Sequence, residues 1–369
     1  MDQHDVRELR DLRELEPAAE WRAVDVADPE TWTLRLTPDD HAELDAALRS
    51  ATATTDDPLA IGRDDFPLDR LDPVDGLAAK LAGVVGDLLD GRGFVRISGL
   101  DVDRYSDAEL TLLYWGIGLH LGEPWPQNAH GHVLGDVTDQ GKSVADPTSR
   151  GNELGGIGLD YHTDGSDLVG LLCLRTARTG GLSCVANAVA IHNVMVREWP
   201  ELALALYGEL PSDLRGEQAD GQRPYSLVPA FTAHHGRLFV RFIPAYIHAS
   251  QRHPSAPRLT PVDRAAIAKV VELANDPDFN VYMDLRPGEM QFINNYHVLH
   301  GRTPYEDDPA HGYKRHLKRL WLATHALTDR PPRFRARRLS HWAERRSVSR
   351  VAAVERGVDR AVERSRVDT

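Results

Sequence analysis

The second half of the chain alternates short apolar segments with glycine, proline and asparagine, and this pattern limits the possible fold more than any other feature. Six of these segments are predicted to be strands, at residues 168–174, 183–186, 238–242, 281–285, 290–293 and 317–324. Many short strands separated by turn residues are typical of a sandwich or barrel, whereas a parallel sheet alternates with longer helices. We therefore predict a mainly β fold with flanking helices (α+β) and a jelly-roll core.

Helical segments surround these strands. A capped amphipathic helix is predicted from Thr37 to Leu48, followed by a loop at 51–58. Further helices are predicted at 74–89, 107–120, 198–206 and 261–274, and a strand at 94–97. We divide the chain into an N-terminal helical and loop extension (1–71), a barrel domain with inserted helices (72–329) and an arginine-rich helical tail (330–369).

Charge and composition exclude several classes of function. The formal net charge of -13 argues against nucleic acid as a partner, although the tail contains 12 arginines and five acidic residues. The simplest interpretation of the tail is a solvated helix that pairs with the acidic body. No apolar run is long enough to span a membrane, and the charged N-terminus lacks a secretory signal, so a cytoplasmic protein is expected.

Composition also limits the cofactors. The two cysteines, Cys173 and Cys184, are too few for a disulfide framework or a four-ligand zinc site, and we expect both to be buried core residues. No glycine-rich phosphate loop follows a strand, which argues against a nucleotide cofactor. The expected partner is a small-molecule substrate, and the oligomeric state is left open, with a homo-oligomer possible.

A His-x-Asp motif and a distant histidine form a candidate metal site. In an extended strand, His162 and Asp164 would point to the same face. A second segment contains His297 and His300, and His300 is the better candidate because it precedes a Gly-Arg-x-Pro turn. Two histidines and one carboxylate are the facial triad that holds Fe(II) and leaves open positions.

Two arginines after the second histidine indicate an anion site, because the apolar alternation around Arg315 and Arg319 predicts that at least one of them points inward and needs an anionic partner. Arg315 lies 15 residues after His300, enough for a loop and a return strand beside the strand of the ligand. Its guanidinium could bind a carboxylate through two parallel hydrogen bonds. The Gly180-Gly181 turn precedes Ser183, whose hydroxyl could reach the same carboxylate.

In this order, the motifs resemble those of the taurine dioxygenase and clavaminate synthase-like family of 2-oxoglutarate oxygenases. The resemblance covers about residues 91–324. It implies a double-stranded β-helix in which His162, Asp164 and His300 hold Fe(II), and Arg315 and Ser183 bind 2-oxoglutarate. It also implies O2 as a co-substrate, with Arg319 contacting an anionic group of the prime substrate. Four residues are assigned to the substrate pocket: Arg319, Gln127, Asn128 and Tyr161.

The implied reaction oxidises an unactivated C–H bond and releases succinate and CO2. The expected substrate is an amino acid, a related small acid or an intermediate of secondary metabolism. Hydroxylation is the default outcome, with desaturation and cyclisation also open. Two alternatives are a zinc metallohydrolase that uses the same His/Asp/His site and a non-catalytic jelly-roll binding protein. The sequence lacks the helical His-Glu-x-x-His motif of many zinc hydrolases, and the hydrolase interpretation leaves the arginine after His300 unexplained.

Overall fold

Two facing β-sheets form the centre of the protein in this computed structural model, which describes residues 12–55, 57–68, 74–128 and 130–334. The strands are β1 Thr33–Arg35, β2 Phe94–Ser98, β3 Glu123–Pro124, β4 Leu134–Thr138, β5 Leu159–His162, β6 Leu168–Arg175, β7 Thr179–Gly180, β8 Ser183–Asn187, β9 Leu210–Asp213, β10 Tyr225–Val228, β11 Phe231–His234, β12 Arg237–Val240, β13 Asn280–Met283, β14 Met290–Asn294, β15 Val298–Arg302, β16 Tyr305–Glu306 and β17 His316–Ala323. The helices are α1 Pro38–Thr54, α2 Leu77–Asp90, α3 Asp107–Leu121, α4 Ala188–Glu198, α5 Pro200–Tyr207, α6 Pro244–Ala249 and α7 Pro261–Asn275.

The two main sheets differ in size and pack face to face. The large sheet has the order β1-β2-β14-β6-β17-β3, with β4 also paired to β17, and the small sheet has the order β13-β8-β15-β5. All pairs in these sheets are antiparallel except β1 with β2. One cluster of buried side chains contains Val169 and Leu317 from the large sheet and Val185 and Val298 from the small sheet. The architecture is the expected double-stranded β-helix with flanking helices.

Helices cover the outer faces of both sheets. The large sheet packs against α1, α2 and α3 in one hydrophobic cluster, and the small sheet packs against α4, α5 and α7 in another. Helix α3 is apolar on nearly all sides, as expected for a helix enclosed between other elements. The predicted cap at Thr37 is confirmed, because its hydroxyl accepts the Asp40 backbone N–H while the Asp40 carboxylate accepts the Thr37 N–H.

Two local predictions are wrong, and one helix was missed. Helix α1 continues to Thr54, through residues predicted to begin a loop. Helix α4 was not predicted, because its buried residues lie on every side and give no helical periodicity. Strand β17, which follows Arg315, lies in the large sheet beside β6 and not beside β15, the strand of His300. Sequence separation alone does not decide which sheet a returning strand joins.

The N-terminal segment is built into the fold. Strand β1 extends the large sheet, and Leu44, Leu48 and Phe66 are part of the core shared with α2 and α3. Residues 335–369 lie outside the described part of the chain, and the predicted helical tail lies almost entirely within them. Among the described residues, no helix is both long and apolar enough to cross a membrane. Cys173 and Cys184 are both buried free thiols.

An ion pair between β4 and β17 makes the stability depend on pH. Asp136 accepts hydrogen bonds from His316 and Lys318, and the His316 contact, followed by that of Lys318, lowers the pKa of Asp136 to about 2 despite partial burial. The unfolded value is about 3.9, so the stabilisation is complete above that pH and is lost as the pH falls towards 2.

We expect Asp136→Asn to lower the free energy of unfolding at pH 7 by up to about 1 kcal/mol, because the pair is half-exposed. In urea titrations, the difference from the wild type should shrink between pH 4 and pH 2. The exposed Asp220 provides the control Asp220→Asn. A difference that stays constant with pH would contradict this explanation.

Candidate functional site

Strand pairing brings the three predicted metal ligands together at one end of the small sheet. His300 of β15 lies directly opposite His162 of β5, with ring centroids 4.3 Å apart. Asp164 follows two residues after His162, beyond the end of β5, and its Oδ2 lies 3.7 Å from Nε2 of His300. One ligand atom from each residue lies within 4.8 Å of the others. The geometry brings together His162, Asp164 and His300, as the sequence predicted.

The surroundings of His162 favour the neutral ring that a metal requires. Nδ1 of His162 lies 2.8 Å from the carbonyl oxygen of Asp160, which can only accept, so this nitrogen carries the proton and Nε2 keeps its lone pair. Burial, followed by the charge of His300, lowers the pKa of His162 to about 4. The imidazole is therefore unprotonated at neutral pH and available as a ligand.

Several groups hold Asp164 in position. The Asn295 amide accepts the Asp164 backbone N–H and donates to its carbonyl oxygen, both at 2.7 Å. The indole N–H of Trp321 donates to Oδ2 at 2.9 Å, and the Arg319 guanidinium lies 3.5 Å from the same oxygen. Burial alone would raise the pKa of Asp164, but Arg319, followed by His300 and His162, lowers it well below its usual value. The carboxylate is therefore ionised.

These donors fit an iron(II) ion. Two imidazoles and one carboxylate are the ligand set of the facial triad, and further hydrogen bonds orient His162 and Asp164. Among the described residues, a second group of possible ligands comprises His234, His235 and Asp329, in which both imidazoles are hydrogen-bonded to the one carboxylate.

Two buried guanidiniums lie beside each other, and neither forms an ion pair with a carboxylate of the described segments. Arg315 and Arg302 are each 5% exposed, and both lie against the ring of Tyr305. Nη1 of Arg315, together with Nε and Nη1 of Arg302, has no hydrogen-bond partner among the described residues. Burial, followed by the charge of Arg302, lowers the pKa of Arg315 to about 10. Two enclosed cations with free donors fit the distal carboxylate of 2-oxoglutarate.

The surrounding chain shapes this anion site. Arg302 is two residues after His300 on β15, so both side chains face the space between the sheets. A Cβ on Gly181, which has a φ of +72°, would lie 2.8 Å from Nε of Arg315, so only glycine allows this approach. Ser183 lies opposite Arg302, but its hydroxyl donates to the Gln291 side chain. The role of Ser183 in binding 2-oxoglutarate stays a prediction.

Two of the predicted pocket residues have structural contacts. Both polar atoms of the Gln127 side chain are engaged: Oε1 accepts from Nε of Arg319 at 2.7 Å, and Nε2 donates to the Arg319 and Val133 carbonyl oxygens. Gln127 therefore orients Arg319. The Asn128 side chain closes its own loop by accepting the His130 and His132 backbone N–H groups. Neither side chain has a donor or acceptor group directed only at the pocket.

Tyr161 does not face the site. It alternates with His162 along β5, and its ring is buried with Cys184 and Ala186 in the cluster beneath the helices. The assignment of Tyr161 to the substrate pocket is therefore wrong, and Tyr161 is a core residue. The second histidine of the motif, His297, is also structural, because its Nε2 lies 3.0 Å from Glu16 of the N-terminal segment. His300 is the histidine beside Asp164.

Sequence reasoning missed three residues of the site: Arg302, Asn295 and Trp321. Arg302 could have been found, because residues two apart on a strand share a face and His300 was already assigned. Asn295 and Trp321 lie far from Asp164 in sequence, at separations of 131 and 157 residues. No local pattern predicts such contacts.

Known proteins resemble this chain over most of its length. Residues 51–321 match the model of the taurine catabolism dioxygenase TauD, TfdA family. FR-33289 synthase of Streptomyces rubellomurinus is 31% identical over 306 residues, covering 82% of this chain and 88% of that protein. The taurine hydroxylase-like protein SAT17 of Stachybotrys chartarum is 25% identical over 321 residues, covering 85% of this chain and 80% of that protein.

Solved structures share the fold. Asparagine oxygenase in complex with Fe(II), hydroxyasparagine and succinate has a TM-score of 0.59 and 20% identity, covering 79% of this chain and 93% of that one. The non-heme iron oxygenase OrfP with iron and α-ketoglutaric acid has a TM-score of 0.54 and 21% identity, with the same coverage. With the matched family model, these findings show that the chain belongs to the TauD, TfdA family and is a 2-oxoglutarate-dependent dioxygenase that uses Fe(II), 2-oxoglutarate and O2.

Proposed function

We propose that His162, Asp164 and His300 hold the iron, and that Arg315 and Arg302 bind the distal carboxylate of 2-oxoglutarate. The observation that carries this proposal is the pair of buried guanidiniums with unpartnered nitrogens, one on the strand of His300 and the other at the residue before β17. A zinc hydrolase needs an activated water but has no use for two enclosed cations beside it. A binding protein would not need the hydrogen bonds that orient His162 and Asp164.

Each residue has a separate task in this proposal. When bound, the iron supplies the oxidation of a C–H bond by O2, coupled to conversion of 2-oxoglutarate to succinate and CO2. Asp160 fixes the His162 tautomer, and Asn295 and Trp321 hold the Asp164 carboxylate. The guanidiniums of Arg315 and Arg302 orient the co-substrate, so that its other end reaches the triad. These residues position the reactants and hold the metal ligands in place.

The proposed reaction is hydroxylation of a small amino-acid-like or anionic substrate. Arg319 supports an anionic substrate, because it lies beside Asp164 with its orientation fixed by Gln127. The similar structures include complexes with hydroxyasparagine and hydroxyarginine, which supports an amino-acid-like substrate. The requirement for 2-oxoglutarate, a metabolite of the cell interior, supports a cytoplasmic location.

The test is a visible spectrum recorded without oxygen. Fe(II) and then 2-oxoglutarate are added to the purified protein. We expect a weak charge-transfer band that requires both additions, because the band arises only when the co-substrate chelates iron. His162→Ala should not show the band, since it removes one imidazole from the ligand set.

The control is a histidine of the same β-helix that lies away from the triad. His311 is exposed, and His311→Ala should keep the full band. The absence of a band in the folded, iron-loaded wild type would contradict the proposal. Tight binding of zinc with hydrolytic activity and no succinate formation would favour the metallohydrolase instead.

A further inference from the structure

A cavity beside Asp164 contains an arginine that the iron and 2-oxoglutarate sites do not use. Arg241 follows directly after β12 and lines a cavity of about 210 Å³ that also touches Asp164. Its Nη1 donates to the Asp164 carbonyl oxygen at 3.1 Å. A Cβ on Gly165 would lie 2.9 Å from the Trp321 ring, so Gly165 allows Trp321 to approach Asp164 beside Arg241.

The other charged side chains around this cavity already have partners of opposite charge. The Asp164 carboxylate interacts with Arg319, Asp167 pairs with Arg330, and Arg333 pairs with Glu209. Arg241 differs, because no carboxylate of the described residues forms an ion pair with its guanidinium. Burial lowers the pKa of Arg241, and the nearby charge of Asp164 offsets this effect only in part.

A purely structural role does not account for a cation at this position. The carbonyl oxygen that Arg241 contacts already accepts a shorter hydrogen bond, at 2.7 Å, from the Asn295 amide. A neutral carbonyl also does not balance a full positive charge. The rest of the cavity is largely apolar, with Trp125, Leu227, Val240 and Phe334 in its wall. The cavity therefore offers one cationic anchor and an apolar surface, next to a proposed metal ligand.

We propose that Arg241 binds the ionised group of the substrate, and that this cavity takes a small organic acid with an apolar remainder. The acid can be a carboxylate, sulfonate or phosphonate, because a guanidinium offers paired donors to each of them. The inference rests on the proposed function, since it assigns a specificity residue to that oxygenase site. It adds a second cation to Arg319: Arg319 lies beside the Asp164 carboxylate, and Arg241 contacts the Asp164 backbone carbonyl oxygen.

The test measures anion binding without turnover. Propionate, ethylphosphonate and the neutral propionamide are titrated calorimetrically into the enzyme loaded with Fe(II) and 2-oxoglutarate in the absence of oxygen. The wild type should bind at least one of the two anions about 10- to 100-fold more tightly than propionamide, because a hydrogen bond to a charged group is stronger. Arg241→Gln should lose this preference, and Arg241→Lys should keep part of it.

Two controls separate substrate binding from other effects. Arg223→Gln removes an exposed arginine from the neighbouring β-hairpin and should bind the anions as the wild type does. The visible band of the iron and 2-oxoglutarate complex, read in the same samples, should be unchanged in Arg241→Gln. Loss of that band in the variant would show that Arg241 only supports the metal site, and would overturn the inference.

The remaining outcomes are also decisive. Anion binding of equal strength in the wild type and in Arg241→Gln would place the anion elsewhere, for example on the iron, and would overturn the inference. The absence of any preference for the anions in the wild type would do the same. Absence of the visible band in the wild type counts against the proposed function instead, and the calorimetric comparison of the variants would still report on Arg241.

Discussion

Replacing Arg315 by leucine is expected to weaken 2-oxoglutarate binding by about 30- to 3,000-fold and to leave iron binding intact. Truncating one partner of a buried charge pair costs about 2–5 kcal/mol, and each 1.4 kcal/mol is about tenfold in affinity. Arg315 is 5% exposed, and its Nη1 has no hydrogen-bond partner in the described part of the chain. The co-substrate carboxylate would therefore lose a dedicated hydrogen-bond donor in an enclosed site.

The measurement is a titration of 2-oxoglutarate into the iron-loaded protein without oxygen, followed by the visible band. Arg315→Lys should lie between leucine and the wild type, because it keeps the charge but not the paired donors. The matched control is Arg178→Leu, since Arg178 is exposed and pairs with Asp308. Unchanged affinity in Arg315→Leu would show that the co-substrate binds elsewhere.

Arg302 and Arg315 are expected to differ in how much they contribute to folding. Nη2 of Arg302 donates to the Ile157 carbonyl oxygen at 2.8 Å, a contact that helps to hold the loop before β5. Arg315 makes one weaker contact of this kind, from Nε to the Gly181 carbonyl oxygen at 3.3 Å. Changes at Arg302 should therefore affect both stability and co-substrate affinity, whereas changes at Arg315 should act chiefly on affinity.

The part of the site that the sequence predicts is the part that depends on local geometry. His162 and Asp164 are two residues apart, and the distant His300 and Arg315 stand in a spacing that the family resemblance identifies. The family and its cofactors follow from these motifs and are confirmed by the matched family model. The roles of the individual residues stay predictions, which the spectra of the variants test.

What the sequence does not predict depends on contacts between distant segments. Tyr161 is adjacent to a proposed ligand, but successive side chains of a strand point to opposite faces. Tyr161 therefore points into the core between the small sheet and its helices. Gln127 was expected to contact substrate, but the return of β17 brings Arg319 within 2.7 Å of its side-chain oxygen. Arg241 follows a hairpin with no motif, and hydrogen bonds between Phe242 and Thr163 bring this segment to Asp164.

Replacing Arg330 by methionine is expected to lower the free energy of unfolding by about 3–5 kcal/mol, because it leaves a buried charge without its partner. Arg330 and Asp167 are 7% and 2% exposed, and their ion pair ties the segment after β17 to the start of β6. Asp167 also accepts the Tyr296 hydroxyl and the Thr324 backbone N–H. These two neutral donors do not replace a guanidinium.

Urea titrations at pH 7 measure this effect, and two further variants identify its cause. Arg333→Met, three residues along the same segment, breaks the exposed pair with Glu209 and should cost no more than about 1 kcal/mol. The double variant Asp167→Leu with Arg330→Met removes both charges and should recover part of the loss, but not all of it, since Tyr296 and Thr324 then lose their acceptor. Equal losses in Arg330→Met and Arg333→Met would contradict a specific role for the buried pair. Asp167 and Arg333 both line the cavity of Arg241. The pair of Asp167 with Arg330 therefore holds the end of the described chain beside the proposed substrate site.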